Sequence, residues 1–254
     1  MRKEIAMKNH FQTMKIETHV HTKYSKDSLL CFWPLYLKCR LRGIDWIAIT
    51  EHNNADGGLA FQKFCNKRGN KVHVIVGEEV FTDSGEIIGL YLQHTIAPGL
   101  TPEETIKEIR KQNGVVYVPH PYDEKRHKTV LAEDAIKRNK DLIDCIEYHN
   151  GRNISTDYDI KQKAIADKYG LTVVIGSDAH TLMEIGRNYM VCDKNDLTTP
   201  EGFKGIIESA EFHEADCLKF AHWVTKFAKT VTLIKRGKFS EICGIIIRKI
   251  KRSL

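Results

Sequence analysis

An α/β fold built on a parallel sheet, closed or open, is what this sequence predicts, on three observations. Short Val- and Ile-rich runs alternate with amphipathic helical stretches along the chain. The runs show little polar alternation, as expected of strands covered on both faces. The length of 254 residues, with 42% apolar and 28% charged side chains, suits one soluble domain of barrel size.

The expected strands are 16–20, 46–50, 72–76, 87–92, 115–118, 143–148 and 172–175. Helical patterns lie between most of them. The first, 35–42, follows Pro34, and the second, 59–67, ends near Gly69. The third runs from Pro102 to Asn113, opened by a Thr101-x-x-Glu104 capping box and closed before Gly114. The fourth, 157–169, stops at Gly170, a residue suited to a helix C-terminus.

Composition excludes several classes. No apolar run approaches the roughly 18 residues that span a bilayer. The first fourteen residues hold no apolar core of a secretory signal. Seven cysteines without a Cys-x-x-Cys pair read as reduced thiols, hence a cytoplasmic protein. The net charge of +6 is uneven: residues 218–254 hold ten Lys or Arg against one acid, and the other 217 residues hold 29 basic and 32 acidic side chains. The basicity therefore belongs to the tail, and the body is mildly acidic.

The expected strand ends repeat one chemical type. The first runs into His19-Val20-His21, whose imidazoles at i and i+2 share a strand face. The second ends in Glu51-His52, the third in Gly77-Glu78-Glu79 and the fifth in His120-Pro121. The sixth ends in Glu147-Tyr148-His149-Asn150 and the seventh in Ser177-Asp178-Ala179-His180. A single His at a strand end is more often a surface or core residue than a ligand. Six of the twelve histidines at such ends, two beside another ligand type at i+2, point to a shared metal site. Imidazole with carboxylate suits zinc, manganese or iron, and so many ligands imply two or three ions. Such a cluster lowers the pKa of a bridging water and clamps attacking and leaving oxygens.

His-x-His at 19–21, Asp27, Glu51-His52, Gly77-x-Glu79, His120-Pro121, Ile146-Glu147-x-x-Asn150 and Gly176-Ser177-Asp178-Ala179-His180 together resemble the polymerase-and-histidinol-phosphatase (PHP) superfamily over about residues 14–192. The resemblance implies a distorted (β/α)7-type barrel at 14–217, after a lead-in at 1–13 and before a basic amphipathic helical extension at 218–254. It implies hydrolysis of phosphate esters at a trinuclear centre. The ligands it implies are His19, His21, Asp27, His52, Glu79, His120, His149, Asp178 and His180, with Glu79 bridging two ions. Of these, His19, His21, His52, Glu79, Asp178 and His180 would be catalytic. Glu51 stands where relatives more often carry Asp, and His149 where many carry another residue; without His149 the site would hold two ions.

For the phosphate, Arg152 after the sixth strand is the first choice, with Arg187, Lys23 and the loop 122–128, carrying Arg126 and His127, as further sources. The expected substrate is a small phosphomonoester. A nuclease or nucleotide phosphatase, or a non-catalytic metal-stabilised module, is the alternative. In the tail, Phe220, Trp223, Val224, Phe227, Ala228 and Val231 form one apolar stripe, expected to close the underside of the barrel. Phe239, Ile242, Cys243, Ile246, Ile250 and Leu254 form another, with basic residues opposite, suited first to core packing and otherwise to an anionic membrane surface or an acidic partner. Nucleic acid is not favoured, because no aromatics interleave with the basic residues.

Overall fold

The computed structural model describes residues 13–126, 128–193, 197–235 and 237. The second apolar stripe of the tail and His127 lie outside the described residues. In chain order the elements are β1 (Thr13–Val20), α1 (Phe32–Arg42), β2 (Trp46–His52), α2 (Asp56–Asn66), β3 (His73–Thr82), β4 (Gly85–Leu90), α3 (Pro102–Lys111) and β5 (Val115–Val118). They continue with α4 (Glu133–Asn139), β6 (Cys145–Asn150), α5 (Thr156–Tyr169), β7 (Val173–Gly176), β8 (Tyr189–Asp193), α6 (Pro200–Ile207), β9 (Glu211–His213) and α7 (Lys219–Lys235). All seven expected strands form; β8, β9, α4 and α6 are additional.

The strands make one sheet in the order β7-β6-β5-β4-β3-β2-β1-β8-β9. The first half of β1 pairs antiparallel with β8, while Val20 at its end bridges Ala179 just past β7. The sheet thus curls into a nearly closed barrel whose ring is completed at the C-terminal ends of the strands.

One strand departs from the expected parallel order. β4 runs antiparallel to both β3 and β5. Only a tight turn separates β3 from β4, which is too short for a crossover, so the chain must reverse as a hairpin. Gly85 sits in that reversal at φ 123°, and a Cβ there would strike the backbone of Val130 and Leu131.

Burial follows the two-sided pattern of the sequence. Ile16, Ala48, Ile75, Ile88, Val115 and Tyr117 fill the barrel interior. Their strand neighbours Ile47, Ile49 and Val74 pack outward against α1 and α2, and Val116, Val118 and Ile146 meet the layer of α3 to α5. The helix ends are set as read: Thr101 and Glu104 form the capping box of α3, and Gly170 ends α5 in the left-handed conformation. No helix among the described residues is long and apolar enough to cross a membrane.

The tail helix corrects an expectation. α7 lies over the mouth of the barrel, where its Lys219, His222, Lys226 and Lys229 line the same cleft as Asp27, His52 and Asp178. Among its described residues it buries Ala221, Ala228 and Leu233, while Phe220, Trp223 and Phe227 are more than half exposed and stack on one another. The lysine face lines the cleft, and the aromatic stripe is left outside.

Candidate metal centre

Strand alternation explains which acids reach the interior. Ile75 points into the barrel, so Gly77 and Glu79 share its face, while Glu78 points away and accepts from Ile96 N at 2.8 Å. Likewise Ala48, Thr50 and His52 share one face. Glu51, on the other, accepts from the amide and hydroxyl of Thr22 and from the hydroxyl of Ser25, pinning the loop after β1.

His19 and His21 do converge, but not through plain strand alternation. The β1 register shifts between Glu17 and Val20, and His19 adopts φ 62°. His120 and Asp178 also have positive φ, at 28° and 48°. Three strained backbone positions in one cluster are held by the surrounding packing, as is typical where side-chain aim outweighs local comfort.

Glu79 is the hub. Its Oε1 lies 3.0 Å from His120 Nε2 and 3.3 Å from His19 Nε2. Its Oε2 lies 2.8 Å from His52 Nδ1 and 3.5 Å from His21 Nε2. Asp178 Oδ1 stands 3.6 Å from His21 Nε2 and 3.4 Å from His180 Nδ1. Asp27 Oδ1 stands 3.6 Å from His52 Nε2 and 3.5 Å from His180 Nε2. These distances define groups of donor atoms close enough to share an ion: His21, His52 and His180; His19, Glu79 and His120; His19, His21 and Asp178; and His52, Glu79 and Glu86.

Glu86 was not anticipated. It faces His120 Nε2 at 3.6 Å and His52 Nδ1 at 3.9 Å. The reading by strand ends missed it because β4 is reversed: its first residues, not its last, reach the mouth. The available signal was a lone acid beside a glycine at the head of an apolar strand. Burial, and then the charge of Glu79, push the Glu86 carboxyl well up.

Supporting residues fix the ring tautomers. Glu147 Oε1 accepts from His19 Nδ1 at 2.7 Å, so the proton sits on Nδ1 and Nε2 is free to face the cluster. The same carboxylate accepts from Tyr117 Oη, His120 N and Asn150 Nδ2. His180 Nδ1 donates to the Asp178 carbonyl at 2.8 Å, leaving its Nε2 toward Asp27. Burial and then the neighbouring imidazoles His180 and His52 pull the His21 pKa well down, which favours the neutral, ligand-ready ring.

The donor set fits divalent cations. His19 Nε2, His21 Nε2 and Asp27 Oδ1 are buried and have no hydrogen-bond partner. Four carboxylates (Asp27, Glu79, Glu86, Asp178) converge here, and among the described residues one guanidinium pairs with them: Arg126, whose Nη2 is 2.7 Å from Asp178 Oδ2. Burying such charge costs several kcal/mol per ion unless it is compensated, and cations among five imidazoles would compensate it.

Other expected residues lie elsewhere. His149 joins none of these groups: its Nδ1 bonds Asp159 Oδ2 at 2.9 Å and its Nε2 bonds Asn188 Oδ1 at 3.1 Å, so both ring nitrogens are occupied. Arg152 lies in the cleft wall, but its Nε donates to Glu184 at 2.8 Å and its Nη2 to Thr225 and the Ala221 carbonyl of α7. Arg187 donates to the Asp216 carbonyl, and Lys23 lies over the Phe32 ring; neither lines the cleft. Among the described residues, Arg126 of the loop 122–128 is the cation that pairs with a cluster carboxylate, Asp178.

This barrel and its histidine–carboxylate cluster define a class, and the sequence places the chain in it: residues 17–231 match the PHP domain, so the protein belongs to the PHP family. Two relatives from Methanocaldococcus jannaschii are uncharacterized proteins. MJ1587 is 42% identical over 121 residues, covering 43% of this chain and 68% of its own. MJ0417 is 31% identical over 190 residues, covering 74% of each chain. Among solved structures, a two-domain protein of Bacteroides vulgatus containing a predicted PHP-like metal-dependent phosphoesterase shares the fold, with TM-score 0.59 and 18% identity. That likeness covers 80% of this chain, which spans only 65% of the two-domain protein.

Proposed function

We propose that the protein is a metal-dependent phosphoesterase that hydrolyses a small phosphomonoester. The observation that carries this reading is the Glu79 carboxylate set among the nitrogens of His19, His21, His52 and His120. Two or three divalent transition ions (zinc, manganese or iron) would be held by His19, His21, Asp27, His52, Glu79, Glu86, His120, Asp178 and His180. When bound, such ions supply a low-pKa water and neutralise phosphate charge.

The protein's own groups do the rest. Glu147 orients His19 and, through the His120 amide, the start of the loop that carries Arg126. Arg126 is held in the cleft wall by Asp123 at Nε and by Asp178 at Nη2, which leaves Nη1 to donate to a non-bridging phosphate oxygen. The cleft of about 950 Å³ is large enough for a metabolite-sized ester. α7 covers the cluster on one side and restricts water.

Metal analysis of the purified full chain, followed by a phosphatase panel, tests the reading. Two or three ions per chain with turnover of an aryl phosphate is the expected result. Ions without turnover of any ester would favour a metal-stabilised module instead.

A further inference from the structure

On α7, Lys219, His222, Lys226 and Lys229 recur at i, i+3, i+7 and i+10, which places them on one helix face. That face, not the aromatic one, lines the cleft above the metal cluster. Lys125 lines it from the 122–128 loop. The other two cations of the cleft are already committed: Arg126 to Asp178 and Asp123, Arg152 to Glu184. Among the described residues, Lys125, Lys219, Lys226 and Lys229 form no ion pair.

Exposed lysines are usually solvated surface charge. Here, however, like charges a turn apart on one helix repel by a few tenths of a kcal/mol, and the helix is tied down with them turned inward. Arg152 donates to Thr225 and to the Ala221 carbonyl, and His222 Nε2 donates back to the Arg152 carbonyl at 3.2 Å. A cleft walled on one side by unpaired ammonium groups concentrates anions. On the phosphoesterase reading, ions held by the histidine–carboxylate cluster would take one phosphate; the lysine face, across the same cavity, is free for another group.

Resting on the phosphoesterase reading above, we propose that Lys226 and Lys229, with Lys219 and Lys125, form a second anion subsite. It takes a phosphate or carboxylate of the substrate other than the phosphate that is hydrolysed. The substrate is then a compact ester with at least two anionic groups, and α7 is the specificity element of the site.

The test uses the full-length, metal-loaded protein and three aryl phosphates whose ring carries, away from the ester, a second phosphate, a carboxylate or a hydroxyl. The expected result is a KM about tenfold lower for one or both doubly anionic esters than for the hydroxyl ester. In the Lys226→Gln/Lys229→Gln variant this ratio falls toward one, whereas Lys107→Gln, exposed on α3 and outside the cleft lining, preserves it. The phosphate and carboxylate arms identify which anion is preferred. A second readout needs no turnover: the Kd, by calorimetry, of an alkane bisphosphonate against the matching monophosphonate, with the preference weakening as salt rises. Equal KM and Kd across the series, or a preference that survives the double substitution, would overturn the proposal. If no ester is hydrolysed the phosphoesterase reading fails, yet a lysine-dependent bisphosphonate preference would still establish the subsite.

Discussion

Arg152 Nε donates to Glu184 Oε1 at 2.8 Å with both side chains buried, and this pair joins three parts of the mouth. Arg152 follows β6 and reaches α7 through Thr225. Glu184 also accepts from the amides of His180 and Thr181 and from the Thr181 hydroxyl, so it steadies the loop that carries a proposed ligand.

Arg152→Ala should therefore act first on stability. Removing one partner of a buried pair costs about 3–5 kcal/mol, because the remaining charge is left uncompensated. Denaturant unfolding should show that loss, and limited proteolysis should release α7 early. Arg152→Met with Glu184→Gln should be less damaging than Arg152→Ala alone. A native melting curve for Arg152→Ala would refute the bracket.

Chelation should remove the ions together with both activity and heat stability, since the buried carboxylates would lose their compensation. Metal content should also fall as pH drops through the imidazole range, because ligands bind deprotonated. Elemental analysis across pH 5 to 8 checks this; full activity in ion-free protein would contradict it.

His19→Ala or Asp178→Asn should lower kcat by about a thousandfold or more, as expected for groups that hold the reaction centre. Glu86→Gln should reduce metal content, whereas His149→Ala should retain it. His73, stacked on Trp46 at the opposite end of the barrel, should tolerate Ala with turnover within about twofold. Metal loss from His149→Ala equal to that from Glu86→Gln would reverse the assignment.

Glu147→Gln keeps the shape but removes the charge that fixes the His19 tautomer. Metal affinity should weaken by about 10–100-fold. Competition with a chromogenic chelator measures it, and unchanged affinity would remove Glu147 from the positioning network.

His149 gives a pH signature. Burial alone would lower its pKa, but the hydrogen bond and charge of Asp159 raise it above the ordinary value. A raised histidine contributes stability in full below the unfolded pKa of about 6.5, and that contribution fades as pH rises through the folded value. Asp159→Asn should therefore lower Tm more at pH 6 than at pH 9. The reverse order would show that the pair is not charged in the folded protein.

Much of this protein was legible in its sequence. The two-sided apolar runs specified all seven expected strands, and the Thr101–Glu104 box and Gly170 marked helix ends because capping is local chemistry. The ordered His, Asp and Glu residues at strand ends named seven of the residues that meet in the cluster, since parallel strands bring their C-terminal ends to one place, and the family resemblance added Asp27. Tertiary structure alone decided the rest. Strand direction is not written in periodicity, so the reversal of β4 hid Glu86. Nor does sequence say which neighbour claims a donor: Asp159 and Asn188 occupy His149, and Glu184 and Thr225 occupy Arg152, leaving Arg126 beside Asp178. For α7 the helical period fixed two faces, but only tertiary contacts, the Arg152 hydrogen bonds to Thr225 and the Ala221 carbonyl, decided that the lysine face rather than the aromatic one lines the cleft.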